Sequence, residues 1–237
     1  MAISVDTVYQ RVLALANKEQ RGYITPQEFN LFANQAQMEI FEQYFYDTKQ
    51  FNRTPGNDTE FSDPVQMLNE KLSIFEVERD NVWTQINLDN HMILPQEVYR
   101  LGNIVVNQSQ VEMLTSKEFD TAKLTYLTAP TSSRPIGCLV GGVLKISTSA
   151  TTDTNAAASN ISINYIRRPN AVSWGYVVVN QKAMYDPTNT VDFELHSSEQ
   201  SELTGRILAL AGITLKQPEL TQIAGAMEQL RVQQEKQ

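Results

Sequence analysis

The chain has 237 residues, 41% of them hydrophobic, a composition typical of one large globular domain or two small ones and not of wholesale disorder. Its net charge of −8 argues against a protein that grips nucleic acid, since such binding requires clustered Lys and Arg. The single cysteine, Cys138, excludes an internal disulfide framework and favours a reducing cytoplasm. No apolar run reaches membrane-spanning length, and the opening "MAISVDTVYQ" lacks the pattern of a signal peptide. We therefore expect neither a membrane partner nor a secretion signal.

Residues 17–28, "NKEQRGYITPQE", have the spacing of a calcium-binding loop, with Gly22 at the sixth place and Glu28 at the twelfth. The first and fifth places should supply oxygen ligands. They hold Asn17, an amide, and Arg21, a fixed positive charge. We therefore expect no calcium site here, and we expect no cofactor or metal elsewhere in the chain.

The same stretch instead predicts a turn between two helices, the first at about 3–19 and the second from Thr25 to about residue 47. Thr25 is a good N-cap, Pro26 suits the first turn, and Glu28 completes a capping box. Apolar residues recur along the second helix every three or four positions. Its other face is rich in amides and carboxylates, which is typical either of a core helix with one wet side or of a subunit contact; these residues are Asn30, Asn34, Gln35, Gln37, Glu39, Glu42 and Gln43.

The middle of the chain changes from helical to two-residue periodicity. Residues 48–62 predict a polar linker, and a third helix begins at Asp63-Pro64. Strand-like segments follow, interrupted by a short helix with a Thr115/Glu118 capping box. Gly141-Gly142 predicts a tight hairpin, and 147–160 predicts a mobile hairpin loop. Residues 77–190 therefore predict a small antiparallel β domain.

The chain ends with two more predicted helices. One runs from about Ser197 to Ala211, with Gly212 as its C-cap. The last opens at Gln217-Pro218-Glu219, and one of its faces carries Leu220, Ile223, Ala224, Met227 and Leu230. The predicted fold class is α+β: a helical body formed by 1–76 together with 191–237, with the β domain 77–190 inserted between its two halves.

The sequence contains no recognisable catalytic constellation. His91 and His196 each stand alone, and there is no His/Cys metal spacing, phosphate-binding glycine loop or nucleophile elbow. Cys138 lies in the apolar stretch "IGCLVGG", which predicts a buried packing residue and not a nucleophile. We therefore expect a protein that is not an enzyme.

The one compact basic spot is Arg167-Arg168, in "INYIRRPNAVSW", flanked by Tyr165 and Trp174. Aromatic rings combined with cations are typical of a base-stacking site. An exposed basic pair at the end of a strand, or a salt-bridging contact to a neighbouring subunit, are the alternatives. A carbohydrate- or receptor-binding module that uses Trp83 or Trp174 is a further functional alternative.

Four segments taken in order resemble a known family: "YITPQEFNLFANQAQMEIFEQYF", "LPQEVYRLGNIVVN", "ISINYIRRPNAVSWGY" and "ELTGRILALAGITLKQPELTQ". They resemble the head-to-tail connector (adaptor, or ring) proteins of tailed bacteriophages, including crAss-like and podovirus-type phages. The resemblance implies a virion protein of the neck or tail, assembled in the host bacterial cytoplasm. It implies a homo-oligomeric ring, a dodecamer in the family, that meets the portal and the tail or neck proteins while DNA passes through the lumen without specific binding.

Two groups of residues are the candidate protein interface. The first is the face of the last predicted helix that carries Leu220, Ile223, Met227 and Leu230; the second is the basic pair Arg167 and Arg168. The alternatives to a connector are another phage virion component or the carbohydrate- or receptor-binding module.

Overall fold

The structure of the protein, a computed structural model, describes residues 3–17, 24–51, 64–80, 86–87, 91–148 and 161–214. These residues form both helices and antiparallel sheets, which confirms the α+β class. The chain divides into two units, each with a dense set of internal contacts. Unit 1 comprises Met1–Ile74 and Pro169–Gln237, and unit 2 comprises Phe75–Arg168.

Unit 1 contains four of the five described α-helices. The helices are α1 (Val5–Asn17), α2 (Pro26–Phe51), α3 (Pro64–Ser73), α4 (Ser116–Leu124, in unit 2) and α5 (Gln200–Thr214). Helix α2 contacts α3 and α5, and α1 also contacts α5. The predicted apolar stripe of α2 is buried along its length, at Phe29, Ala33, Ala36, Ile40, Phe41 and Tyr44. The apolar spacing read from the sequence therefore places the core face of this helix correctly.

Two helix ends differ from the predictions. Helix α2 continues to Phe51, four residues into the predicted linker 48–62, and the hydroxyl of Thr48 donates to the Tyr44 carbonyl at 2.7 Å within it. Gly212 is a buried residue inside α5 and not its C-cap. The burial of α5 outweighs the cost of a helical glycine, about 1 kcal/mol. The rest of the linker, most of the loop 147–160 and the last predicted helix lie outside the described residues.

The described strands, in chain order, are β1 (Glu76–Arg79), β2 (Ile86–Asn87), β3 (His91–Ile93), β4 (Val98–Val106), β5 (Ser109–Gln110), β6 (Glu112–Met113), β7 (Ile136–Val140), β8 (Val143–Ser147), β9 (Ile161–Arg167), β10 (Tyr176–Val179) and β11 (Lys182–Tyr185). Unit 2 holds a sheet of order β1-β9-β4-β5 and a sheet of order β2-β3-β8-β7-β6. Residues from both sheets share one buried cluster: Ile104, Val106, Val111, Leu144, Ile161, Ile163 and Tyr165. The core of unit 2 therefore joins its two sheets.

One strand pair of unit 2 is parallel, unlike the antiparallel pairing we expected throughout. Strand β6 pairs with β7 in parallel, Glu112 opposite Ile136 and Met113 opposite Gly137. Parallel neighbours need a crossover connection, and helix α4 supplies it. The predicted Thr115/Glu118 capping box at the start of α4 is confirmed.

Three hairpins turn through two residues that both have positive φ, as type I′ turns require. The predicted Gly141-Gly142 turn between β7 and β8 is confirmed, with φ of 59° and 80°. The other two turns use Asn107-Gln108 and Asn180-Gln181, and they join β4 to β5 and β10 to β11. The sequence reading missed both turns because neither contains glycine.

The division between the units differs from the predicted domains by two residues at the first boundary, since 75–76 belong to unit 2, and by more at the second. We placed residues 169–190 in the β domain 77–190, but their contacts group them with unit 1. Bridges explain this grouping, because Ser173 pairs with Val191 and Phe193 pairs with Ile3 near the start of α1. The two ends of unit 2 are also joined, since the Arg167 N–H donates to the Phe75 carbonyl at 2.9 Å.

Candidate functional site

The amide face of α2 binds a segment of its own chain. The side chain of Asn34 accepts from the Val172 N–H at 2.8 Å and donates to the Val172 carbonyl at 2.8 Å. One turn earlier, Asn30 accepts from the Trp174 N–H at 2.8 Å and donates to the Trp174 carbonyl at 3.4 Å. Each amide thus pairs with a backbone residue as a neighbouring strand would.

Gln37 extends this pairing by one more turn of α2. Its amide donates to the Asn170 carbonyl at 2.8 Å and accepts from the Glu194 N–H at 3.4 Å. The Glu194 carboxylate in turn accepts from the backbone and the side chain of Asn170, at 2.9 and 2.8 Å. We call Asn30, Asn34 and Gln37 the amide ladder. Its role within unit 1 corrects the interpretation of these three residues as a wet face or a subunit contact.

Trp174 is part of the core of unit 1. It is only 3% exposed, and its indole N–H donates to the Asp6 carboxylate at 2.9 Å. Its ring lies 4.4 Å from the ring of Tyr9, and Tyr176 and Tyr185 flank it at 5.9 and 5.8 Å. A base or a sugar therefore has no open face of Trp174 to stack on. Trp83, the other candidate for a carbohydrate site, lies outside the described residues.

Tyr165 is also buried, at 3% exposure, so the predicted base-stacking arrangement around the arginine pair is wrong. Its hydroxyl donates to Glu97 at 2.5 Å, and Arg79 forms an ion pair with the same carboxylate. Burial, followed by the bond to Glu97, raises the pKa of Tyr165 to about 12. The hydroxyl therefore remains a protonated donor at neutral pH.

The arginine pair lies at the end of β9, and its members have different surroundings. Arg167 is half-buried, with its guanidinium 5.9 Å from the centre of the Phe75 ring. Arg168 is exposed and lies over the ring of Tyr99, while its N–H donates to the Glu97 carbonyl at 2.8 Å. Arg168 is thus the member that presents its charge to solvent. The other predicted interface residues, Leu220, Ile223, Met227 and Leu230, lie outside the described residues.

Cys138 and His196 have packing and capping roles. Cys138 is buried with Phe119 and Ile136, as predicted, and burial raises the pKa of its thiol. A neutral, enclosed thiol is a poor nucleophile. His196 precedes a short 3₁₀ helix, Ser197–Glu199, and its ring accepts from the Ser198 N–H at 3.3 Å. His91 begins β3.

Glu28 caps α2 as predicted. Its carboxylate accepts from the backbone N–H and the hydroxyl of Thr25 at 3.0 and 2.8 Å, and its own N–H donates to that hydroxyl at 3.3 Å. These bonds lower the pKa of Glu28. Residues 18–23 of the calcium-like stretch lie outside the described part of the chain. Among the described residues, no group of three or more His, Cys, Asp or Glu side chains is placed to hold a metal ion.

Ion pairs fasten the helices of unit 1 to one another. Lys71 on α3 lies 2.7 Å from the buried carboxylate of Glu199, just before α5. Arg206 on α5 pairs with Glu202 at 2.6 Å and reaches Glu39 on α2 at 3.7 Å. It also donates to Gln43. Glu39 and Gln43 of the predicted polar face thus contact α5.

Several surfaces expose large apolar side chains, and two of them are the hairpin arm and the apolar knob. The hairpin arm, Tyr176–Tyr185, consists of β10, β11 and their turn, and it exposes Val177, Val178, Val179, Met184 and Tyr185. The apolar knob consists of Leu124, Tyr126 and Leu127, at the end of α4, which are 88%, 99% and 87% exposed. Sequence reasoning missed both. The uninterrupted "VVV" run and the three large apolar residues of "KLTYLTAP" were the available signals.

The two units differ in charge. Unit 1 includes eighteen Asp and Glu against eleven Lys and Arg, a net charge of −7. Unit 2 includes nine against eight, a net charge of −1. The acidity of the chain is therefore concentrated in unit 1.

Comparisons with known proteins add no assignment. No protein-family model matches the chain, and no curated protein matches it. Within the described ranges, none of the helices is both long enough and apolar enough to cross a membrane.

Proposed function

We propose that the chain is a structural virion protein of a tailed bacteriophage, a connector subunit that forms a ring between the portal and the tail and extends the DNA channel. The observation that carries the proposal is the pair of exposed apolar surfaces, the hairpin arm in unit 1 and the apolar knob in unit 2. Exposed groups of large apolar side chains are typical of protein–protein contacts. A subunit with two such surfaces suits an assembly in which each copy meets two neighbours.

The order of the sequence segments supports the same function, because it resembles that of the connector proteins. The acidic balance of the chain suits a channel that DNA must pass without being held. The roles of Cys138, His196 and Glu28 in packing and capping also agree with a structural protein.

The test is to purify the chain, alone and together with the portal protein of the same phage. Native mass spectrometry and negative-stain microscopy then measure the size and symmetry of the complexes. We expect rings that bind the portal. A portal–tail assembly in which this chain is absent from the neck would contradict the proposal, and its presence elsewhere in the particle would favour another virion role.

A further inference from the structure

We draw no further inference here: the strongest candidate, the pair of exposed apolar surfaces formed by the hairpin arm and by the apolar knob at the end of α4, carries none, because nothing in the structure shows what covers either surface.

Discussion

The capping box of α2 gives a direct test at the scale of single residues. Thr25→Ala removes the hydroxyl that bonds Glu28, and we expect a loss of about 1 kcal/mol in the free energy of unfolding. Thr25→Ser keeps the hydroxyl and should lose much less. Urea denaturation, followed through Trp174 fluorescence in a Trp83→Phe background, measures both. An equal loss of unfolding free energy in the two variants would show that the hydroxyl does not provide the stabilisation.

The pH dependence of Glu28 follows from its lowered pKa. A carboxylate whose folded-state pKa is depressed contributes stability that is present above its unfolded pKa, about 4.3, and is lost as the pH falls through the folded value. The difference in unfolding free energy between the wild type and Glu28→Gln should therefore shrink as the pH falls below about 4. Calorimetry with calcium should give no heat for either protein, and micromolar binding that Glu28→Gln abolishes would restore the calcium interpretation.

Substitutions at two turn residues should change the stability of their hairpins in opposite directions. Gln181 has a φ of 63°, which strains a side-chain-bearing residue, so Gln181→Gly should stabilise the hairpin arm by roughly 0.5–1 kcal/mol. Gly142 has a φ of 80° and open space around it, so Gly142→Ala should destabilise the β7–β8 hairpin by about 1–2 kcal/mol through the backbone alone. Thermal unfolding measures the change in stability of each variant. A change in the same direction in both variants would contradict the strain argument.

At the scale of elements, the amide ladder links α2 to the segment 170–174. Asn34→Ala removes the partners of both backbone groups of Val172, and we expect a loss of about 2 kcal/mol. Gln35→Ala, next to it on the exposed side of α2, should stay within about 0.5 kcal/mol of the wild type. Hydrogen exchange should show faster exchange of the Val172 amide in Asn34→Ala only. Unchanged protection there would mean that other contacts hold the segment.

The predicted elements show what local pattern specifies. The spacing of Phe29, Ala33 and Ile40 placed the buried face of α2, and Thr115 with Glu118 placed the start of α4. Asn34 illustrates the limit of such patterns. The sequence predicts that an amide on the polar side of a helix is solvated. Only the tertiary contact with residues 170–174 lets the Asn34 amide bind backbone groups.

At the scale of the whole molecule, the division into units predicts how the chain can be cut. Unit 2 is continuous from Phe75 to Arg168, and a hydrogen bond between Arg167 and Phe75 joins its ends. Residues 75–168 produced alone should therefore unfold cooperatively on heating, as followed by circular dichroism. The chain cut after Arg168 should keep this transition but lose cooperative unfolding of α1, α2 and α3, because α5 and the 170–174 segment are missing. A melt of 75–168 without a transition would contradict this prediction.

The candidate site was less predictable than the elements. The arginine pair and Trp174 stood out in the sequence because aromatic and basic residues together indicate binding. In the structure Trp174 packs against Tyr9, and Arg167 lies over Phe75. The exposed Val178 and Tyr126 read as ordinary apolar residues of a strand and a helix end, since burial depends on what else the chain brings to that place.

The sequence by itself determined the α+β class, the helix starts at Thr25 and Thr115, the Gly141-Gly142 turn and the buried Cys138. Each depends on residues close together in the chain. Local hydrogen bonding, periodicity and backbone preference can therefore be predicted without knowing the tertiary structure. Only the tertiary structure decided that residues 169–190 belong to unit 1, that the amides of α2 bind backbone, and that the arm and the knob remain exposed. These features depend on contacts between residues more than a hundred positions apart, or on surface left over once the cores are filled, and no local pattern encodes either.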